Sequence, residues 1–416
     1  MNSRWFVSAA GWSGFAFILS AMLSLGWYVI LLKQYSNADS GALLLWISAS
    51  AVVGLLDFGT SVYINGKIAT CRHNNKFRTA TRISSFCLSF SFLSFLLYAV
   101  VAGQLIKSYN LLPHLGFWQV SSFSILVIGT QVGMTSIAIL KGYHKFKIGA
   151  ICQILNSLFV YGFSIFALLL KNDISVVYFF FAIGSIVSAA ISSYFAFRAS
   201  RLPFDIGRTN RNPYRIYRKL IYLIFNGGLP IFPQQLTGIF FNHILRFLVA
   251  TLSGIGSVGI ISFSFTVATR LHSLCNAFIE ILYPLANTFR EKNISAKTIE
   301  HFFWKKVFPF FILIVLIASY IANLIKSGSF LPTVLFSLGT WLTLAVAPTF
   351  HFENAFGRGL KVSILSVMTI PTYSFIFGVI GYMFGYLNWV YGLAYLITQG
   401  VFFHQMHVFC SSKQSI

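Results

Sequence analysis

Residues 6–32 read FVSAAGWSGFAFILSAMLSLGWYVILL, a run of apolar and small residues that contains no charged side chain. About 20 such residues suffice to carry a helix across the hydrocarbon core of a bilayer. The run is too long for the apolar core of a secretory signal peptide. We therefore interpret it as a retained membrane helix.

Similar runs recur along the whole chain, which is 57% hydrophobic and only 9% charged. Soluble domains usually carry about 25% charged residues. Further spans are predicted at 41–66, 83–106, 115–140, 148–170, 174–197, 220–247, 256–287, 307–325, 329–352, 362–385 and 388–410. Such runs are too long and too uniformly apolar for barrel strands, so the sequence predicts an all-α polytopic membrane protein of about twelve transmembrane helices.

The net charge of +22 is distributed unevenly between the connections. Connections on one side of the predicted spans hold 24 Lys and Arg residues, and those on the other side hold only Lys33, Lys107, Lys171 and Lys326. By the positive-inside rule the basic side is cytoplasmic, which places both termini there. This distribution predicts a multi-pass protein of a bacterial inner membrane in contact with membrane lipids, and it explains the basic composition without nucleic acid as a partner.

The longest connection, 199–219, is basic and contains Pro203, Gly207 and Pro213. We interpret it as a cytoplasmic linker between an N-terminal six-helix bundle, 1–198, and a C-terminal six-helix bundle, 220–416. Similar turns at equivalent places in the two halves favour this division, namely 35–41 with 253–259 and 142–145 with 355–358. Repeated halves are common in transporters.

Ionisable residues within the spans are few, and such residues usually mark a pathway or a partner because burying charge in a membrane is costly. Arg270, near the middle of the eighth span, is the strongest candidate for binding an anionic substrate; the alternative is a structural ion pair, for example with Asp57. For Arg246 the alternative is snorkelling to the outer interface. Asp57 itself fits a packing or capping role equally well, and Glu280 fits a structural one.

The seventh span contains Asn226-Gly-Gly-Leu-Pro-Ile-Phe-Pro-Gln-Gln235, in which two glycines and two prolines predict a kink or an interruption. Interrupted helices expose backbone groups to substrate cavities in transporters. Gln234 and Gln235 would then offer amide contacts to sugar hydroxyls. A kink that only fits the neighbouring helices is the alternative.

No motif of an enzyme or of a cofactor site is present in the sequence. The five cysteines are scattered without metal-ligand spacing, and there is no nucleophile–base constellation, phosphate-binding loop or dinucleotide fingerprint. We therefore predict no catalytic residues, no metal, no cofactor and no enzymatic activity.

Several loose motifs in order and at characteristic spacing carry a family resemblance. They are Leu55-Leu-Asp-Phe-Gly-Thr-Ser61, Lys141-Gly-Tyr143, Gly228-Leu-Pro-Ile231 and the segment from Ser257 through Arg270 to Leu285. With these the chain resembles the polysaccharide (O-antigen) flippases of the multidrug/oligosaccharidyl-lipid/polysaccharide (MOP) exporter superfamily.

The resemblance implies two six-helix bundles of MATE-like fold around a central cationic cavity. It implies alternating-access transport of an oligosaccharide on undecaprenyl pyrophosphate, with Arg270 and Arg246 holding the phosphates. The family usually has a polar residue beside the arginine of the seventh helix, where this chain has Asn242-His243. Implied partners are the lipid-linked oligosaccharide, a polysaccharide polymerase and a chain-length regulator.

Three other functions remain open from the sequence. A multidrug or metabolite exporter of the same superfamily would favour buried carboxylates over buried arginines. A peptidoglycan-precursor flippase would have more spans and more cavity arginines. A membrane glycosyl polymerase or ligase would need a large outer loop, and every outer connection here is short.

Overall fold

A computed structural model of the 416-residue chain describes residues 3–53, 57, 60–108, 117–170, 173–200, 218, 221–222, 229, 232–279, 296–355 and 359–411. Every regular element within these residues is helical, and no strand occurs among them. The predicted all-α fold of a polytopic membrane protein is confirmed.

The helices lie along the chain in the following order. They are α1 Ser3–Gln34, α2 Asn37–Val53, α3 Thr60–His73, α4 Phe77–Ser108, α5 Phe117–Gly142, α6 Phe146–Leu169, α7 Ile174–Ser200, α8 Phe232–Ile239, α9 Leu245–Ser253, α10 Ile255–Ile279, α11 Ala296–Phe302, α12 Phe308–Ile325, α13 Phe330–Ala355, α14 Gly359–Phe384 and α15 Asn388–Ser411. Single π-helical turns, Phe240–Ile244 and Phe303–Val307, join α8 to α9 and α11 to α12.

Each of the twelve predicted spans overlaps at least one of these helices. Nine spans within the described ranges are long and apolar enough to cross a membrane. One boundary was wrong by a wide margin: the predicted span 307–325 is part of a candidate span that begins at Lys297. The charged side chains of Lys297, Glu300 and Lys305 concealed this helical extension in the sequence, because they read as a solvated connection.

The chain folds into two compact units. Unit 1 comprises residues 1–30 and 46–235, and unit 2 comprises residues 31–45 and 236–416. The predicted linker at 199–219 lies almost wholly outside the described residues, so the predicted bundle boundaries stay a prediction.

Unit 1 is held together by close helix contacts and by hydrogen bonds between small polar side chains. A Cβ atom added to Gly184 on α7 would lie 2.3 Å from the carbonyl oxygen of Phe159 on α6. Ser157 donates to Ser20 at 2.7 Å, and Trp27 Nε1 donates to Ser164 Oγ at 2.6 Å. Small residues and interhelical hydrogen bonds take the place of the hydrophobic effect where the surrounding solvent is lipid.

Two similar turns cap α3 and α5 in unit 1. Asn75 and His144 adopt left-handed backbone conformations, with φ of 55° and 56°. The backbone N–H of the residue after each of them donates a hydrogen bond to the carbonyl oxygen five residues earlier. These bonds run from Lys76 to Cys71 at 2.7 Å and from Lys145 to Leu140 at 2.9 Å. Both turns therefore have the hydrogen-bond pattern of a Schellman cap.

The two capped ends are fastened to each other. The guanidinium of Arg72 on α3 donates to the backbone oxygen of Tyr143 and lies 5.7 Å from the centroid of its ring. Tyr143 belongs to a buried cluster with Ile68 and Cys152. This end of unit 1 is consequently a packed core beneath a basic surface.

The turn between α1 and α2 belongs to unit 2, although the helices on either side of it continue into unit 1. A Cβ atom at Gly41 would lie 2.2 Å from the carbonyl oxygen of Ile255, at the start of α10. Lys326 Nζ, at the end of α12, donates to Asn37 Oδ1 at 2.5 Å. Residues 31–45, which we call the α1–α2 hairpin, thus pack directly on α10.

Candidate functional site

The helix that contains Arg246 is interrupted by the π-helical turn Phe240–Ile244. The sequence placed the interruption earlier, at 226–235, and most of that stretch lies outside the described residues. Pro233 occupies the first turn of α8, where proline is tolerated because its missing N–H has no intrahelical partner. No sequence signature announced the π-turn, which inserts one extra residue per turn and is often found at functional sites.

The π-turn and the helix after it carry three of the polar side chains of this region. Arg246 on α9 is only 9% exposed, so its guanidinium is covered by protein. His243 lies one turn earlier and has a buried Nδ1 atom without a hydrogen-bond partner in the described part of the chain. The side-chain amide of Asn242 donates a hydrogen bond to the carbonyl oxygen of Gly238 at 2.8 Å. This side chain therefore supplies a partner for a backbone carbonyl of its own distorted helix.

Arg270 lies on α10, the helix that follows. Its side chain is partly buried, and its Nε atom is buried without a hydrogen-bond partner among the described residues. No Asp or Glu occurs anywhere in residues 232–279, so Arg246 and Arg270 are the only two Lys, Arg, Asp or Glu residues in this segment.

The spacing of the two arginines follows from the tight connection between α9 and α10. Gly254, with φ of 84°, is the only residue between the helices, and consecutive spans cross a membrane in opposite directions. Arg246 precedes Gly254 by eight residues and Arg270 follows it by sixteen. At 1.5 Å per residue their Cα atoms are offset by about 12 Å along the helix axes. This offset favours an arrangement in which the two arginines contact an anionic substrate one after the other, and not both at once.

Aromatic rings from three helices lie around those of the π-turn. Phe240 and Phe241 pack edge-on against Tyr373 of α14, with ring centroids 6.0 Å and 5.4 Å apart. Phe241 also meets Tyr395 of α15 at 5.0 Å, and Tyr395 meets Phe265 of α10 at 5.5 Å. The hydroxyl of Tyr373 is buried without a partner in the described residues.

A polar pair lies within the same unit. Gln399 of α15 is 4% exposed, and its Oε1 atom accepts a hydrogen bond from Thr343 of α13 at 3.0 Å. Unit 2 therefore combines aromatic rings, amide and hydroxyl groups, and two arginines. The sequence had singled out only the arginines and Asn242 from this set, because nothing in its periodicity shows which rings converge.

The remaining predicted site residues lie in unit 1 or outside the described part of the chain. Asp57 is buried, at 7% exposure, and belongs to unit 1. Gln235 is partly buried on α8 and is the last residue of unit 1. Gln234 lies on the same helix, but its side chain and residue Glu280 fall outside the described part. Among the side chains that are described, no group of three potential metal ligands occurs.

Residues 6–288 match the family described as polysaccharide biosynthesis protein. No curated protein matches the chain.

Solved structures provide similar folds. A multidrug resistance MATE family transporter of the MOP superfamily, in an inward-facing conformation, has a TM-score of 0.72 and 13% identity over 100% of this chain and 99% of that chain. A Pyrococcus furiosus MOP superfamily transporter, for which reverse polarity of the binding pocket is said to suggest a different function, has a TM-score of 0.62 and 14% identity over 97% of this chain and 96% of that one. The Vibrio cholerae MATE transporter VcmN in its bent form has a TM-score of 0.64 and 12% identity over 97% and 98%. At such low identity these likenesses establish the fold alone.

Proposed function

This chain belongs to the polysaccharide biosynthesis protein family, and we propose that it is an exporter of the MOP superfamily whose cargo is an oligosaccharide linked to undecaprenyl pyrophosphate. Transport would run from the cytoplasmic to the periplasmic leaflet of a bacterial inner membrane by alternating access. The cargo would be the repeat unit of an O-antigen or of a related surface polysaccharide.

The observation that carries this proposal is a pair of arginines on α9 and α10 within a segment that contains no acidic residue. Arg246 is covered by protein, Arg270 has a buried Nε atom without a partner among the described residues, and the segment 232–279 supplies no carboxylate to either. Guanidinium groups bind phosphate oxygens through charge-assisted hydrogen bonds. A pyrophosphate is therefore the anion that suits two arginines placed in succession.

The glycan half of the cargo is polar and needs a different surface. Aromatic rings and amide groups provide one, and in unit 2 Phe240, Phe241 and Tyr373 lie beside the helix that contains Arg246. Gln399 and Thr343 show that polar side chains are accommodated in the same bundle. These features support a path for sugars next to a path for phosphates.

The direct experiment replaces Arg270 in cells that lack their own copy of the gene. Arg270→Ala removes a charged hydrogen-bond donor, worth about 1.5–3 kcal/mol, so we expect surface polysaccharide to fall about 10- to 100-fold. Arg78→Ala is the matched control, because Arg78 is an exposed arginine at the start of α4. Membrane amounts are compared by immunoblot, and full polysaccharide display by Arg270→Ala at equal amounts would contradict the proposal.

A multidrug exporter is the second candidate, and the buried carboxylate of Asp57 is the observation in its favour. Export of a cationic dye from whole cells separates the two functions. If Asp57→Asn abolishes dye export while Arg270→Ala leaves it intact, the multidrug function holds instead.

A further inference from the structure

Unit 2 contains a buried carboxylate away from the arginines. Glu300 on α11 is 4% exposed, whereas Asp39, the other acidic side chain described in this unit, is exposed. An ionised carboxylate is costly to bury unless it is paired or hydrogen-bonded. The groups around Glu300 therefore decide what it can do.

Two side chains from other helices converge on this carboxylate. The hydroxyl of Thr349 on α13 donates a hydrogen bond to Oε1 of Glu300. Nε2 of His407 on α15 lies 3.7 Å from the other oxygen, Oε2. One carboxylate thus joins three helices of unit 2.

Other charged and titratable side chains lie on the same elements. Lys297, one turn earlier on α11, acts on Glu300 electrostatically. His301, Lys305, Lys306 and His404 are exposed. The side chains of His351 and Glu353 on α13 lie outside the described part. His407 is the titratable group in contact with the carboxylate.

The two members of the pair differ in exposure. The side chain of His407 is 37% exposed, and that of Glu300 is 5% exposed. A distance of 3.7 Å is too long for a hydrogen bond but suits an ion pair, so the attraction depends on the charge of the imidazole. Histidine is the side chain that ordinarily gains or loses a proton between pH 5 and 8.

We propose that Glu300 and His407 form a proton-binding site that fastens α11 to α15. A proton from the aqueous phase binds the imidazole, and the resulting imidazolium pairs with the carboxylate. Release of that proton leaves the carboxylate with its hydrogen bond from Thr349, and the link to α15 is lost. This proposal does not depend on the nature of the cargo.

The sign of the pH effect follows from this arrangement. Stabilisation by the pair requires an imidazolium at His407 and an ionised carboxylate at Glu300, so it is lost when a rise in pH removes the imidazolium proton. A contact that does not depend on this charge would not vary with pH.

The test is a double-mutant cycle on the full-length protein purified in detergent. Thermal unfolding midpoints are measured at pH 6 and pH 8.5 for the wild type, Glu300→Gln, His407→Gln and the double variant. We expect the coupling between the two positions to raise the midpoint by about 2 °C at pH 6 and to vanish at pH 8.5. His404→Gln, an exposed histidine one turn earlier on α15, is the control and should leave the pH dependence unchanged.

Equal coupling at both pH values would overturn the proposal, as would no coupling at pH 6. If Glu300→Gln fails to fold, Thr349→Val replaces it as a milder change to the same carboxylate. The difference in unfolding midpoint between the wild type and His407→Gln must then still be larger at pH 6 than at pH 8.5, and an equal difference at both pH values would refute the site.

Discussion

Gly184 offers a sharp test of how closely α6 and α7 pack. A Cβ atom at this position would lie 2.3 Å from the carbonyl oxygen of Phe159 and 2.8 Å from Cα of Val160. Both are backbone atoms, so a rotamer change cannot relieve the clash. The helices would have to separate by about 1 Å to restore ordinary van der Waals contact.

Overpacking of this kind typically costs about 1–3 kcal/mol. With a cost near 2 kcal/mol and about 2–4 °C per kcal/mol for a unit of this size, Gly184→Ala should lower the unfolding midpoint by about 4–8 °C. The assay is thermal unfolding of the purified full-length protein in detergent, followed by intrinsic fluorescence.

Gly162→Ala on α6 is the matched control. Nothing described lies within 4 Å of a Cβ atom at that position, so the midpoint should stay or rise slightly, because alanine favours a helix over glycine. An unchanged midpoint in Gly184→Ala would refute the close approach of α6 and α7.

Three further predictions concern other parts of the chain. Burial, and to a lesser extent the nearby Arg72, lowers the pKa of His144. The wild type should therefore lose stability relative to His144→Asn as pH falls from 7 to 5. Thermal unfolding at several pH values measures this, and parallel curves of midpoint against pH would contradict it. Ser164→Ala should destabilise by about 1–3 kcal/mol, because the buried Trp27 N–H loses its acceptor, and an unfolding midpoint equal to that of the wild type would rule this out. Arg246→Lys and Arg270→Lys should reduce polysaccharide display by factors that multiply in the double variant, since the offset of about 12 Å along the helix axes keeps the two positions apart; a double variant no worse than either single one would instead indicate one shared clamp.

The all-helical, membrane-spanning fold could be predicted from the sequence because each span must satisfy its backbone internally and remain apolar over about 20 residues. This reasoning failed where a helix begins with charged residues. Glu300 and Lys297 read as a solvated connection, yet a threonine and a histidine far along the chain allow the carboxylate to be buried in a helix. Such long-range compensation leaves no local pattern.

The site could be predicted only in part, for a related reason. Arg270 and Arg246 stand out in the sequence because a charge within an apolar run is rare. Other features depend on how the helices pack. They are the π-turn at Phe240–Ile244, the Tyr373 hydroxyl without a partner in the described part of the chain, and the Gln399–Thr343 pair. Uniformly apolar helices lack the polar and apolar faces that would show in the sequence which side of a helix meets which neighbour.

The α1–α2 hairpin has a practical consequence for dissecting the protein. Residues 31–45 are encoded near the start of the gene but complete the packing around Ile255 and Lys326 in unit 2. A fragment expressed from residue 236 onward would therefore lack part of its own core, whereas cutting the chain within 199–219 and co-producing both pieces would return the missing hairpin in trans. Any attempt to exchange halves between related exporters must carry the hairpin with its C-terminal partner rather than with the segment that adjoins it in the gene.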